Sequence, residues 1–485
     1  MSLKQKTVSG LLWSFIDNTA LVGISFIVGI ILARLLSPKE YGLLGMLTIF
    51  ISISQSFIDS GFSQALLRKQ NCTPADYSTV FYFNIIVSVS FYLILFTCAK
   101  SIGIFFHEPI LKNLIRVLGL GLIINSFTLI QSTQLTKRID FKLQAKISFI
   151  SSISSGIISI YMAYTGWGVW SLVVSALVRY SISSFSLWFW SKWKPIWHFS
   201  INSLKELFSF GSKLLVSGLI DIIFRNAFAV VIGKYYTAME LGYYTRADQF
   251  QSLPSSNLQT IIGRVSLPVL LTIQNDTPRL KQAYQKIIRS TMFISFILML
   301  GMAAIARPMV LTLIGEKWEP CIIYLQMLCF IGMLYPLQAI NLDMLQVQGR
   351  SDLFLRLEII KKILAVPIFV IGIFWGVKVM ILGMLLLNLI GLYLNSYWSG
   401  RFIKYSFFDQ FKDILPSFIL AVIINLIVFS ETFFIPAKPL LLLIIQLITG
   451  AVLTVGLGEM FCFKDYIYIK EIVKENFFKK LNNGR

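Results

Sequence analysis

Long apolar runs, each closed by a short charged or Pro/Gly-marked stretch, follow one another along the whole chain. Read as helices they number about fourteen, with cores near 11–33, 41–66, 78–99, 113–135, 146–164, 168–190, 212–233, 243–270, 290–313, 320–345, 359–375, 378–398, 414–432 and 439–462. Each approaches the roughly 20 apolar residues that a helix needs to cross the hydrocarbon of a bilayer. Two divisions are minimal: Gly166-Trp167-Gly168 and Trp375-Gly376 separate neighbouring helices by almost nothing. The pattern predicts an all-α polytopic membrane protein. The first run has a basic start but no small-residue cleavage site, and further spans follow at once, so it is expected to stay as the first helix.

The second half of the pattern echoes the first. Leu3, Lys4 and Gly10 recur as Leu204, Lys205 and Gly211, and Glu40 and Gly42 as Glu240 and Gly242. Arg138-Ile139-Asp140 recurs as Arg350-Ser351-Asp352, and Trp167-Gly168-Val169 as Trp375-Gly376-Val377. The four offsets are 201, 200, 212 and 208. Collinear pairs at nearly constant offset imply duplication of a six-span unit. An even number of crossings returns the chain to its starting side, so the copies are parallel, related by a pseudo-two-fold axis along the membrane normal. The expected organisation is an N-terminal lobe at 1–199, a C-terminal lobe at 200–400, and two further spans with a tail at 401–485. Residues 203–211 open the second copy. They read either as an interfacial helix, with Leu204, Leu207 and Phe208 on one face, or as a water-exposed extension of the span.

Composition agrees with the pattern. Of 485 residues, 56% are hydrophobic and 14% charged, with a formal net charge of +20. In a soluble protein that charge would suggest nucleic acid, but here the basic residues cluster between apolar runs, where they encode topology, and no nucleic-acid partner is expected. With the N-terminus taken as cytoplasmic, 30 of the 43 lysines and arginines fall on the cytoplasmic side and 11 opposite. That bias places both termini inside. Five scattered cysteines and two separated histidines give neither a disulfide framework nor a metal site. No phosphate loop or nucleotide-binding domain is present, so no cofactor and no enzymatic activity are expected.

Candidate chemistry then lies with charges inside the spans, which cost about 2.5–3.5 kcal/mol each at mid-helix on insertion scales. Asp221 and Arg225 share one face of the seventh span. They read either as a self-neutralising pair or as an anion-binding arginine beside a cation-handling acid. Arg179 stands alone in the sixth span. Arg34 and Arg246 lie at outer ends of spans one and eight, with Asp248 beside Arg246. Asp17, Asp59 and Asp343 are placed nearer cytoplasmic ends, where capping and snorkelling compete with function. Asn125, Gln131 and Gln134 give the fourth span a polar stripe, read as cavity lining or as interhelical glue.

Several stretches resemble a known family. Ala33-Arg34-Leu35-Leu36-Ser37-Pro38-Lys39-Glu40-Tyr41-Gly42 is similar to the opening signature of bacterial polysaccharide flippases. These form the polysaccharide-transport branch of the multidrug/oligosaccharidyl-lipid/polysaccharide exporter superfamily. Asp59-Ser60-Gly61-Phe62-Ser63-Gln64-Ala65-Leu66 and Leu241-Gly242-Tyr243-Tyr244-Thr245-Arg246-Ala247 resemble its later elements. Gly315-Glu316-Lys317-Trp318 and Gly349-Arg350-Ser351-Asp352 resemble the colanic-acid and lipopolysaccharide exporters.

The resemblance implies fourteen helices in two six-helix lobes. It also implies movement of a polyprenyl-pyrophosphate-linked oligosaccharide to the outer leaflet of the bacterial inner membrane, for lipopolysaccharide or other surface polysaccharide. Alternating access through a cationic cavity is implied, with coupling to a proton or sodium gradient in some members. Polymerase and glycosyltransferases are the implied partners, besides bilayer lipids. Arg179, Arg225, Arg246 and Arg34 are the cavity candidates, and Asp221 and Asp17 the ion-coupling candidates. The alternative within the same superfamily is an ion-coupled drug or cation antiporter, whose cavity would be richer in acids and aromatics.

Overall fold

The computed structural model describes residues 21–191, 193–471 and 474. Residues 3–10 and Asp17 lie outside them. The described chain is helical throughout, as the apolar periodicity predicts, and divides into two compact units, 1–242 and 243–485.

In the first unit, α1 is described over Leu21–Leu35. It is followed by α2 (Pro38–Asp59), α3 (Phe62–Arg68), α4 (Pro74–Phe105), α5 (Leu111–Ser126), α6 (Leu129–Lys137), α7 (Phe141–Tyr164), α8 (Val169–Trp190) and α9 (Ile201–Tyr235). The helix α10 (Ala238–Thr272) begins in the first unit and continues into the second. There follow α11 (Thr277–Ala304), α12 (Ala306–Leu313), α13 (Cys321–Gly332), α14 (Tyr335–Val347), α15 (Ser351–Trp375), α16 (Val377–Ile403), α17 (Phe407–Phe434) and α18 (Pro439–Met460). Among the described residues ten helices are long and apolar enough to cross a membrane, with α2–α3 and α13–α14 each counted once. The pair α5/α6, bent by 41°, makes eleven. The other three expected runs fall on α1, α10 and α15. Charge and proline dilute the apolar character of the last two: Glu240, Arg246 and Asp248 in α10, and Glu358, Lys361 and Lys362 in α15.

Local chemistry explains the helix starts. Amides in the first turn have no helical acceptor, and an unsatisfied polar group at membrane depth is costly. Ser37-Pro38 with Glu40 forms a capping box on α2, and Glu40 Oε2 accepts from Ser37 N at 2.5 Å. Thr73-Pro74 with Asp76 does the same on α4, and Ser406 with Asp409 on α17. Proline at the first helical position loses no hydrogen bond there.

The repeat is visible in the backbone. The fourth span breaks in both copies, at Phe127-Thr128 and at Met333-Leu334. Gly168 and Gly376 both take positive φ, +55° and +101°, at the starts of α8 and α16. One register differs from the expectation. Ile139 and Gly349 share the left-handed conformation, and the amides of Asp140 and Arg350 both reach back to leucine carbonyls, of Leu135 and Leu345. The equivalence here is therefore 210 residues, not the 212 that the Arg-x-Asp match implies. Arg350 stands where Asp140 caps α7. The segment 203–211 runs into the span within one unbroken 35-residue α9.

One of the closest helix contacts falls on repeat markers. A Cβ on Gly42 would overlap the carbonyl of Ala238, and one on Gly242 would overlap that of Pro38. The starts of α2 and α10 thus touch backbone to backbone. A second contact joins Gly61 to Gly211, where an added Cβ on either residue would sit 2.5 Å from a backbone oxygen of the other segment. Glycine at such crossings lets helices gain dispersion contact in lipid, where hydrophobic attraction between helices is absent. Gly42→Ala is expected to cost about 3 kcal/mol or more, since no rotamer relieves a clash with backbone. Gly23→Ala, whose Cβ would meet open space, serves as the control. Thermal unfolding of both variants in detergent reads the difference, and equal melting temperatures would contradict the contact.

Candidate functional site

The first unit holds Arg179, Asp221, Arg225 and Arg34. Arg179 is central in the 22-residue α8, and its side chain is exposed. Asp221 and Arg225 lie one turn apart on α9, both exposed. Arg34 is exposed near the end of α1. An exposed arginine at mid-span must meet water or an anion, because facing lipid tails carries the insertion cost.

α9 sets the geometry of this region. At one end Gly211 packs on Gly61. At the other, Gly233 abuts Met46 and Phe106, and Lys234 Nζ donates to the Phe105 carbonyl at 2.6 Å. Between Gly211 and Phe228 no residue of α9 is buried. This helix is pinned at both ends and accessible in the middle. At 3.6 residues per turn, exposed Val216, Ile220 and Ile223 form one ridge, while Asp221 and Arg225 stand roughly opposite. The charged pair therefore has a different face from the apolar one. Asn226, next along, donates to its own helix at Ile222 O, 2.8 Å away.

Arg246 is placed differently. It belongs to the second unit and is 3% exposed. Its Nη1 donates to Gln249 Oε1 at 2.6 Å, and its guanidinium lies 5.0 Å from the centre of the Phe250 ring. The ion-coupling candidate Asp17 is outside the described residues. Asp59 caps: its carboxylate accepts from the Ser63 amide and hydroxyl at the start of α3. Asp343 does not cap. It lies inside α14, half-buried, and its Oδ2 is a buried oxygen with no hydrogen bond among the described residues. In the polar stripe, Gln131 and Gln134 are buried in the first unit, which makes them interior groups rather than lining.

Sequence reading passed over a cluster at the end of α3. Lys137 Nζ donates to the carbonyl of Leu66 at 3.0 Å, to that of Lys69, and to Cys72 Sγ at 2.9 Å. A cation there satisfies the last carbonyls of α3 and meets the negative end of its dipole. Lys69 bridges Glu206 on α9 at 2.9 Å and buried Asp76 on α4 at 3.1 Å. The Glu206 carboxylate holds the Lys69 ammonium above its usual range, against burial, which lowers it. The only signal in the sequence was a pair of basic residues in a loop, which topology counting absorbed.

The family described as polysaccharide biosynthesis protein matches residues 31–323. The chain belongs to this family. Among similar members is the lipopolysaccharide biosynthesis protein WzxC of Escherichia coli K12, 25% identical over 77% of this chain and 76% of its own length. The teichuronic acid biosynthesis protein TuaB of Bacillus subtilis 168 is 24% identical over 73% of each chain. In fold, this polysaccharide biosynthesis protein is similar to the lipid II flippase MurJ in an inward closed conformation. The TM-score is 0.77 at 16% identity, covering 95% of this chain and all of that one. An inward-facing multidrug transporter of the MATE family superposes with a TM-score of 0.60 at 17% identity, covering 79% and 94%. This family member is a multi-pass membrane protein, with a fold similar to that of those two structures.

Removing the cap on α3 tests its structural role. Lys137→Met leaves the two carbonyls only the weak Cys72 thiol donor and is expected to cost about 1–3 kcal/mol, lowering the melting temperature in detergent by several degrees. Lys137→Arg keeps the charge and should lose less. Identical melting of all three proteins would show that the cap contributes nothing.

Proposed function

We propose that the protein is a flippase that moves a polyprenyl-pyrophosphate-linked oligosaccharide from the cytoplasmic to the outer leaflet of the bacterial inner membrane, serving surface polysaccharide assembly. The observation that carries this reading is the accessible mid-span charge of the first unit, Arg179 and Arg225, in a chain of the polysaccharide biosynthesis family. A pyrophosphate cannot cross hydrocarbon without replacement of its hydration. Guanidinium groups supply that replacement through paired, charge-assisted hydrogen bonds. WzxC and TuaB bear names that assign them to lipopolysaccharide and teichuronic acid, which supports a surface-glycan substrate here.

In this reading Arg179 and Arg225 bind the pyrophosphate in a cationic cavity, with Arg34 as a further cavity group. Two lobes, 1–199 and 200–400, with 401–485 appended, rock to expose the head group alternately on each side. The lipid tail stays in the bilayer throughout. Both termini are cytoplasmic, in keeping with the excess of lysine and arginine on that side. Asp221 and Asp17 are the groups for coupling to a proton or sodium gradient, and a polymerase and glycosyltransferases are the partners in assembly.

Arg179→Ala and Arg225→Ala test the cavity. Each is expected to lower flipping of a lipid-linked oligosaccharide in proteoliposomes by about tenfold, the scale of one lost charged hydrogen bond. Lysine replacements should recover part of the loss. Full flipping by both alanine variants at equal protein level would remove the arginines from the mechanism. Lack of flipping by the parent protein would remove the function itself. For coupling, Asp221→Asn should abolish any dependence of the rate on an imposed ion gradient, and a persisting dependence would exclude Asp221.

A further inference from the structure

The end of α3 and the first turns of α9 enclose a cavity of about 410 Å3, lined by Arg68, Lys69, Glu206, Ser209, Phe210 and Lys213 among others. Both walls belong to the first unit. Three cations face one carboxylate, and that carboxylate is already engaged. Lys69 holds both Glu206 and Asp76. Among the described residues Arg68 and Lys213 form no ion pair. The Arg68 guanidinium lies 4.6 Å from the centre of the Phe210 ring. The contact with the ring leaves its N–H donors for an acceptor that the described residues do not supply. Glu206, Phe210 and Lys213 recur at helical spacing, so α9 presents them along one side.

The depth of the cavity follows from its surroundings. Leu204, Leu207 and Phe210 pack in one apolar cluster with Phe62, Phe81, Trp188 and Trp193. The rings of Trp188 and Trp193 lie 5.9 Å and 5.6 Å from Phe81, and Tyr82 stacks on Trp197 at 6.0 Å. Trp197 is 97% exposed. Tryptophan and tyrosine gathered at helix ends mark the boundary between headgroups and hydrocarbon. The cations therefore stand at headgroup level. From Lys213 toward the centre of the span, the same side of α9 continues as the exposed ridge Val216, Ile220 and Ile223.

We propose that this cavity is a binding site for an anionic phospholipid of the bilayer, separate from the mid-span charge of α8 and α9. The phosphodiester is received by Arg68 and Lys213, and an acyl chain lies along Val216, Ile220 and Ile223. A free phosphate satisfies the cations but makes no use of the ridge. The bound lipid braces α3 against α9 beside the Gly61–Gly211 contact and so steadies the end of the helix that carries Asp221 and Arg225. Such a site requires only the multi-pass fold, not transport.

The test is lipid binding to the full-length protein in neutral detergent, followed by native mass spectrometry. Phosphatidylglycerol is titrated against phosphatidylcholine with identical chains. Saturable binding of phosphatidylglycerol is expected, weakened about twentyfold or more in the Arg68→Gln/Lys213→Gln variant, since each basic group near an anionic surface contributes about fivefold. Lys205→Gln, a lysine outside the cavity lining, should bind as the parent does, and Ile220→Ser should weaken phosphatidylglycerol. Inorganic phosphate and pyrophosphate should fail to displace the lipid. Equal binding of the two phospholipids, or an unchanged double variant, would overturn the proposal. So would displacement by inorganic phosphate at comparable concentration, which would make the site a free-anion site. Binding of a polyprenyl pyrophosphate without any binding of phosphatidylglycerol would reassign the cavity to substrate.

Discussion

The first unit is organised around the place where Gly42 and Gly242 let two helix starts touch through their backbones. In water the burial of leucines would draw such helices together; in a bilayer lipid tails solvate them equally well, and only close packing favours contact. A side chain at either position would separate α2 from α10. The two glycines are each other's equivalents in the duplication, so one ancestral glycine supplies both halves of the contact. The Gly61–Gly211 approach repeats the device on α9. Caps at Ser37-Pro38 and Thr73-Pro74 complete the frame by satisfying the amides that these tight starts expose.

That frame explains how a helix with charge in its middle is tolerated. α9 gains its packing at the ends, through Gly211, Phe228, Ile232 and Gly233. Its centre is left accessible, with an apolar ridge on one side and Asp221 and Arg225 roughly opposite. Had the packing residues been spread evenly, the charges would have needed buried partners, as Arg246 needs Gln249 and Phe250. Segregating packing from polarity along a single helix keeps the insertion cost local.

Much of this was legible before any coordinates. Apolar periodicity placed the spans, because a membrane helix must satisfy its own backbone and cannot hide its length. Gly168 and Gly376 were legible as turns, since two helices joined by so little need a residue that accepts positive φ. Some of what was not legible depends on partners distant in sequence. Lys137 looked like a topogenic charge and is a cap on α3, 71 residues away from Leu66. The 212-residue match of Arg138 to Arg350 followed side-chain identity, whereas the backbone follows the left-handed residue, Ile139 in one copy and Gly349 in the other.

The copies also diverge inside. At the 210-residue equivalence Gln131 corresponds to Asn341, and both are fully buried. Asn341 is well served: Tyr284 donates to it at 2.8 Å, Ser399 donates to it, and its own amide reaches Gln410 at 3.2 Å. Tyr284 lies eight residues past the cap Asp276. The residue eight past the cap Thr73 is Phe81, which has no hydroxyl and instead joins Phe127, Trp188 and Trp193. Neither amide atom of Gln131 has a hydrogen bond among the described residues. A buried amide without protein partners costs about 1–3 kcal/mol per unmet group unless water enters. The second copy therefore locks this layer with a directional network, and the first fills it with aromatic rings around an underserved amide. Rings slide where hydrogen bonds hold register, so this layer of the first unit is the more deformable of the two.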